Sequence, residues 1–523
     1  MNTHFQTSDI LFFVAGFVPV VGSCLLFIQG KVKPALFMLI AGGFALRLWM
    51  AFIDPYINLW DEQFHAMVAK NMMEAPFHPM LYAHPAVGFQ PSEWWINQTW
   101  VHKPPLFLWQ IAAAMKIFGT HYWVVRIPSV VLTTLCIPVL FRMGKLLSGE
   151  STGYFSALLF AIMNVQVNIV SGYLNTDHND VVFMCYVLFS FWAWIELMQS
   201  TTARWKWLVL TGIFSGMAIL VKWLPGLLVY GAWFIALITD RNTRTSMKEW
   251  LQIGIAFVVT TLVAAPWFVF IAVKYPAETK ATFSLQNDHL TKSLDHDGPW
   301  WYHFQLLQED YGWWFVVMLP LCLFFFIKQK NKRAIRFGIL AAIIFVYAFY
   351  SFVSTRMPLF CLLVSPLLYV VIAEPIGRFK FFQWTSKIHI NKFLRPLPFI
   401  LLPLLAFLIL NIGRIEHFHT DRNVGNVYRP ARIENKRWFE AAAGSLRSPD
   451  IIIFNCGGYG NGVACMFYTG NTAYSFIPTP QQYQMLKSSG AQMAIFDDTP
   501  LPEYIAADST IIKLHYTLVR NGF

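Results

Sequence analysis

Long apolar runs alternate with short polar stretches along most of this chain, and a mixed polar segment follows the last of them. A bilayer-spanning helix needs about 20 apolar residues. Runs near that length predict about twelve spans: Leu11–Gln29, Ala35–Ile53, Tyr122–Phe141, Thr152–Ile169, Val181–Met198, Trp207–Leu220, Leu224–Ile238, Trp250–Ala272, Trp313–Ile327, Phe337–Val353, Leu359–Ala373 and Leu397–Ile412. Pro104–Gly119 is apolar but short and opens with two prolines, which suits a helix lying in the interface. After Ile412 the pattern changes. Pro430–Ala443 reads as a helix, and Ile451–Phe454, Ala473–Phe476, Met493–Phe496 and Ile511–Val519 read as short strands. The expectation is a polytopic all-α membrane domain over residues 1–413 and a small C-terminal α/β domain over 414–523.

Composition agrees. Of 523 residues, 56% are hydrophobic and only 13% charged, against about a quarter charged in a soluble domain. The net charge of +11 does not point to nucleic acid, because the lysines and arginines sit in short clusters between apolar runs. Those clusters fall in alternate loops: Lys31 and Lys33; Arg142 and Lys145; Arg204 and Lys206; Arg241, Arg244 and Lys248; Lys328 to Arg336; Arg378 to Arg395. The positive-inside rule puts these loops in the cytoplasm. The opposite loops, 54–103, 172–180, the Lys222 turn, 274–311 and 354–357, and everything after Arg414 are then extracytoplasmic, in a multi-pass inner (plasma) membrane protein. No cleavable signal peptide is expected, since no basic leader precedes Leu11.

Five of the seven cysteines lie inside apolar runs and read as small packing residues. Cys456 and Cys465 lie in the polar tail, in the oxidising compartment, and a disulfide between them is expected. No Cys/His spacing fits a structural zinc site. The glycines Gly457, Gly458, Gly460 and Gly462 lack dinucleotide-loop spacing and read as a turn.

The unusual chemistry collects on the outer face. The stretch 54–105 opens with Asp54 and Trp60-Asp61-Glu62 and closes with His102-Lys103-Pro104-Pro105. Acids at the foot of a membrane segment are costly unless they face water or a polar partner, so they read as functional. Gly172–Asp180 reads Gly-Tyr-Leu-Asn-Thr-Asp-His-Asn-Asp and carries Asp177. The loop 274–311 carries Asp288, His289 and Lys292, and 354–358 reads Ser-Thr-Arg-Met-Pro. Transporters instead place polar residues mid-span between broken helices, and these are scarce here.

These pieces resemble, in order and loop placement, the polyprenyl-phosphate-sugar-dependent glycosyltransferases of the GT-C class. The similarity is to the branch holding protein O-mannosyltransferases and lipid A aminoarabinose transferases. It rests on Trp60-Asp61-Glu62; His102-Lys103-Pro104-Pro105-Leu106; Phe118-Gly119; Arg126-Ile127-Pro128-Ser129; Thr176-Asp177; Gly216 to Lys222; Pro266-Trp267; and Ser354 to Pro358. It covers roughly Arg47 to Ala373, about three-fifths of the chain. The resemblance implies a GT-C-like fold and an inverting transfer of a sugar from a polyprenyl-phosphate carrier to an acceptor hydroxyl outside the cytoplasm. Asp61 would be the base, Glu62 its partner, and Asp177 the second acid, shaping the acceptor side or holding a metal. Lys103, Arg356, Lys222, Lys292 and His289 would serve the donor phosphate, the last two from a loop, 274–311, that covers the donor. No cofactor is required, although a divalent metal ion fits the second acidic motif. The partners implied are the lipid-linked donor, a lipid, glycan or protein acceptor, and the bilayer.

The chemistry of the reaction asks for the same set. A lipid phosphate is already a good leaving group, so the site needs cations for the departing charge and a carboxylate for the acceptor proton. Two departures stand out. The aminoarabinose transferases place an arginine where this chain has Phe64, and relatives often have a glutamate where it has Asp288. Plainer readings stay open for single residues. Lys222 also suits a snorkelling anchor, His65 and His121 suit core or interfacial positions, and Trp94, Trp95, Trp100, Trp300 and Trp301 suit an interfacial belt. Alternative functions are a polyprenyl-linked glycolipid transporter or flippase, which would not need Asp61 as a base, and a glycan-binding membrane scaffold.

Overall fold

The computed structural model describes residues 5–173, 177–294, 296–378, 396–420, 428–458 and 460–520. The basic residues expected at Lys380, Lys387, Lys392 and Arg395 lie outside them, as does Thr176 of the second acidic motif; Asp177 opens a helix, but its side chain also lies outside. The first half of the chain gives α1 (Thr7–Ile28), α2 (Val32–Ile53), α3 (Asp61–Met72), α4 (Leu106–Phe118), α5 (Ile127–Ser148), α6 (Glu150–Ile162), α7 (Asn164–Asn168), α8 (Asp177–Gln199) and α9 (Arg204–Lys222).

Among the described residues nine helices are long and apolar enough to cross a membrane, or up to eleven if each of two bent pairs is one span. The chain is a multi-pass membrane protein. The expected span Leu224–Ile238 falls on a shorter apolar helix, Leu224–Thr239. Trp223, at φ +62°, and the following Pro225-Gly226 break the chain there, so its first turn is a tight 3-10 turn. The expected span Thr152–Ile169 bends by 56° between α6 and α7. Such a break strands helix-end carbonyls in the bilayer interior. Arg47 of α2, fully buried, answers them by donating to Phe160 O (2.8 Å) and Ala161 O (3.1 Å). The apolar interface segment is α4, which exposes Ile117 and Phe118. Where α5 and α6 cross, Gly144 and Gly153 let the backbones meet, and a Cβ on either would strike the other helix.

The two ends of the bundle differ in kind. At one end the basic loops are tied by ion pairs: Arg142 with Glu196 (2.6 Å), Arg204 with Glu249 (2.8 Å), and Arg336 and Arg378 with Glu374. The other end carries the 54–105 stretch, the start of α8, the end of α9, and the C-terminal segment.

That segment holds the helix Arg429–Ser445 and three parallel strands, β1 (Ile452–Phe454), β2 (Met493–Phe496) and β3 (Ile512–Leu514), in the order β1-β2-β3. Ala473–Phe476, expected as a strand, runs beside β1 but makes a single bridge to Ile453. Asn455, at φ +60°, ends the extended run of β1 and with it the ladder. The glycine-rich stretch is a turn leading into the helix Asn461–Thr469. The expected disulfide is not formed. Cys456 and Cys465 are free, buried and bonded thiol to thiol. Burial pushes the Cys456 thiol well above its usual range and so suppresses the thiolate that oxidation needs.

Candidate functional site

The site begins with a local break. Trp60 takes φ +67° and ends the loop that follows α2, so α3 starts at once with Asp61 and Glu62 in its first turn. Acids there also suit the positive end of the helix dipole. Adjacent positions on a helix point about 100° apart, and the two acids have opposite fates.

Glu62 points inward and is fully engaged. Arg126 grips it with two bonds, Nε to Oε1 at 2.8 Å and Nη2 to Oε2 at 3.1 Å. His178 donates to Oε1 (3.0 Å), and the Asn58 backbone N–H closes onto Oε2. The same guanidinium binds the carbonyls of Ala51, Asp54 and Tyr56, so it stitches the end of α2 to the start of α3. Gly172, at φ +79°, passes so close that a Cβ would overlap the Glu62 carboxylate. Burial would raise the Glu62 carboxyl, but Arg126 and His178 outweigh it and hold it at about 2.

Asp61 is 5% exposed, and its Oδ2 is buried without a hydrogen-bond partner among the described residues. Burial raises its carboxyl above the usual range. The charges acting on it are, strongest first, Lys103, Asp180, Lys222 and His178. Burial lowers the Lys103 ammonium, with Asp61 opposing and Lys222 adding to the shift. Lys222, at the last turn of α9, is ion-paired with Asp180 on α8, and its ammonium lies 5.0 Å above the Phe360 ring. His289 belongs to the same group. Its Nδ1 is buried and has no hydrogen-bond partner among the described residues, and burial, with help from Lys103 and Lys222, lowers the imidazole to about 4.

Asp61, Lys103, Lys222 and His289 are thus brought together. The other two expected cations stand apart. Arg356 spends its Nε on the carbonyls of Gly298 (3.1 Å) and Pro299 (3.0 Å), and its Nη1 on that of Val353. With Thr355 N bonded to His289 O (3.3 Å) and Thr355 Oγ1 to Lys292 O (2.7 Å), it fastens the 289–299 loop over 353–356. Lys292 is 62% exposed and pairs with Asp288 at 3.0 Å. His65 is buried among Trp100, Phe107 and His178, with neither ring nitrogen bonded among the described residues. Burial drives it well below its usual range, as a neutral core histidine. Trp94 stacks on His102 at 4.1 Å within the site wall, and Trp300 and Trp301 are exposed. Among the described residues no group of three or more His, Cys, Asp or Glu could hold a metal ion.

Sequence reasoning missed Asp180 and the roles of Arg126 and His178. A signal for Asp180 was present, because it lies one helical turn after Asp177 and so on the same face of α8.

The C-terminal segment sits directly on this site. Gln63 donates to Gly460 O (2.9 Å) and accepts from Trp60 N (3.3 Å). Lys70 reaches Phe467 O (2.9 Å), the Ile57 N–H reaches Tyr468 Oη (2.9 Å), and Asp54 holds His419 (2.8 Å) and Arg429 (3.1 Å).

Comparisons with known proteins bear on the fold and the family likeness. Residues 102–270 match the family described as dolichyl-phosphate-mannose-protein mannosyltransferase. An undecaprenyl phosphate-alpha-4-amino-4-deoxy-L-arabinose arabinosyl transferase of Pseudomonas fluorescens is 23% identical over 318 residues, 58% of this chain and 53% of that protein. Its counterpart in Serratia proteamaculans is 24% identical over 330 residues, 61% of this chain and 57% of that one. The chain thus spans about half the length of the curated relatives it matches. Among solved structures, ArnT from Cupriavidus metallidurans bound to undecaprenyl phosphate superposes with a TM-score of 0.64 at 15% identity, covering 86% of this chain and 87% of that one. The oligosaccharyltransferase AglB of Archaeoglobus fulgidus gives 0.55 at 10% identity, covering 86% and 64%. By fold the chain is ArnT-like, and by sequence it is similar to the undecaprenyl phosphate aminoarabinose transferases.

Proposed function

We propose that the chain is an inverting glycosyltransferase that moves a sugar from a polyprenyl-phosphate carrier to an acceptor hydroxyl on the extracytoplasmic side of the membrane. The observation that carries this reading is the buried Asp61 carboxylate, with one oxygen unbonded, beside Lys103 and Lys222. The acceptor oxygen attacks the anomeric carbon of the donor. The bond from that carbon to the phosphate oxygen breaks, and its electron pair stays on the phosphate. The acceptor proton passes to Asp61. The products are the glycoside and polyprenyl phosphate. A single displacement of this kind inverts the anomeric centre.

The residues divide this work. Burial makes Asp61 a stronger base, while Lys103 favours its ionised form. Lys103 and Lys222 offset the charge gathering on the phosphate in a site that largely excludes water. His289, neutral at pH 7, stands at the same place as a hydrogen-bonding group. Glu62 holds α3 rather than touching substrate. Asp177, the second acid of the sequence motif, is assigned to the acceptor side, and no step is routed through a metal. Arg356 and Lys292 form and edge the loop over the donor. The domain over 414–523 braces the catalytic helix.

Two features support the carrier and the side. The relatives are named for an undecaprenyl-phosphate donor, and ArnT was solved with undecaprenyl phosphate. The basic loops, tied together at the far end of the bundle, support a site outside the cytoplasm. The acceptor is a lipid, glycan or protein hydroxyl. The test is transfer by purified protein given a panel of polyprenyl-phosphate sugars with lipid, glycan and peptide acceptors. Release of polyprenyl phosphate coupled to glycoside formation is expected from at least one donor. None from any donor refutes the reading. An alkaline phosphatase fusion after Gly413 should be active and one after Lys332 inactive; the reverse overturns the orientation.

A further inference from the structure

Lys222 is already occupied in the resting site. Its ammonium is ion-paired with Asp180, whose side chain is only 5% exposed, and α8 and α9 pack along one another, which keeps the two residues within reach of each other. The other Asp180 oxygen, Oδ2, is buried and bonded to nothing among the described residues. Asp180 also acts on both Asp61 and Lys103. Two acids and two lysines therefore form a nearly balanced set before any phosphate arrives.

Transfer would upset that balance in one direction. Given the glycosyl-transfer reading above, on which this inference rests, the donor is a phosphodiester with one negative charge. The product, polyprenyl phosphate, is a monoester whose second ionisation lies near pH 6, so at neutral pH it carries close to two. Two lysines alone would hold the product more tightly than the donor, and the site would stall after each turnover. We propose that Asp180 is the product-release residue: it yields Lys222 to the donor phosphate and reclaims it to expel polyprenyl phosphate. It competes for the same ammonium and repels the extra charge that the phosphate gains. It touches no reacting atom and acts through Lys222.

The test uses the full chain, purified in detergent, with undecaprenyl phosphate as the probe. Removing one full negative charge beside a bound anion in a partly buried site should tighten its binding by about tenfold or more. Asp180→Asn should therefore bind undecaprenyl phosphate at least about tenfold more tightly than wild type in a calorimetric titration. Its single-turnover rate should stay near that of wild type while its steady-state rate falls, giving a burst that wild type lacks. A merely structural residue would lower both rates together and would not tighten binding. Lys222→Met should weaken binding, and Lys222→Met/Asp180→Asn should bind more tightly than Lys222→Met alone. This second comparison carries the test if Asp180→Asn does not fold. Unchanged or weaker binding by Asp180→Asn, or equal affinity of the two Lys222 variants, overturns the inference while leaving the parent reading intact. Wild type that binds no undecaprenyl phosphate overturns both.

Discussion

Asp61 and Glu62 are neighbours in sequence, yet their neutralisation should have opposite effects on stability. Glu62 is 1% exposed and accepts from Arg126, which is fully buried. Glu62→Gln leaves that guanidinium without its counter-charge. Breaking one side of a buried pair costs about 3–5 kcal/mol. Because Arg126 keeps its three carbonyl partners, the lower end, roughly 3 kcal/mol, is expected. The carboxyl itself gives the same magnitude: held at about 2 from an ordinary 4.5, it contributes roughly 3 kcal/mol. A depressed carboxyl stabilises above its unfolded value, so this contribution is complete above about pH 5 and is lost as pH falls towards 2. Asp61 has the opposite sign. Its carboxyl is raised, so ionisation at pH 7 costs stability, and Asp61→Asn should melt at or above wild type. An unfolding entropy of about 2.1 cal/mol/K per residue over 523 residues turns 3 kcal/mol into roughly 3 °C. Helices that persist in detergent reduce that entropy and enlarge the shift. Thermal unfolding of the three proteins in one detergent at pH 7 is the assay. Glu62→Gln melting with wild type, or Asp61→Asn as the destabilised variant, would refute the assignment of one acid to structure and the other to chemistry.

Asp61→Asn should remain folded and bind donor, while turnover falls by roughly 10²–10⁴-fold, the range for a positioned base; normal turnover would shift the role to Asp177. Lys103→Ala should weaken donor affinity as well as rate, read as a rise in KM together with a fall in kcat. Gly460→Ala places a Cβ against the Gln63 amide at φ +91°, and should lower kcat with little change in lipid-phosphate binding, measured side by side on one preparation. Cys456 and Cys465 should both resist alkylation in the native protein and both be alkylated after unfolding without reductant; mass spectrometry showing a bond between them would contradict the buried thiols.

The spans were legible because each is a local run of apolar residues, and all twelve expected runs fall on helices. What was not legible is set by distant partners. The break after Ile162 depends on Arg47, more than a hundred residues earlier, arriving to satisfy the freed carbonyls. Ala473–Phe476 has strand composition but not a regular ladder, because Asn455, at φ +60°, breaks the extended run of β1 although its N–H and that of Cys456 still reach Phe476 O and Tyr474 O. Arg356 looked like Lys103, an isolated outer cation before a proline, yet one is consumed by carbonyls and the other stands beside Asp61. Sequence records the charge of a residue and not its commitments. Asp180 shows the converse, since its meaning comes from Lys222 on the next helix.

Three buried acids stand at the head of the 54–105 stretch, and their surroundings sort them. Asp54 is clasped by His419 and Arg429, and its carboxyl is held below the usual range because these partners and Arg126 outweigh burial. Glu62 is clasped by Arg126 and His178 with the same result. The Glu62 clasp ties α3 to the membrane helices α5 and α8, and the Asp54 clasp ties the end of α2, just before it, to the segment that leads into the C-terminal strands. Between them, the helix Asn461–Thr469 and its turn hold Gln63 and Lys70. A helix held from both sides can carry a carboxylate whose Oδ2 has no hydrogen-bond partner among the described residues. Leaving Asp61 buried with an unbonded oxygen costs stability, and the clasps at Asp54 and Glu62 offset that cost. Groups held against their solution pKa in this way concentrate where chemistry is done. The raised acid between two depressed ones is therefore the reactive group, and the C-terminal segment belongs to the site because it supplies one of the two clasps.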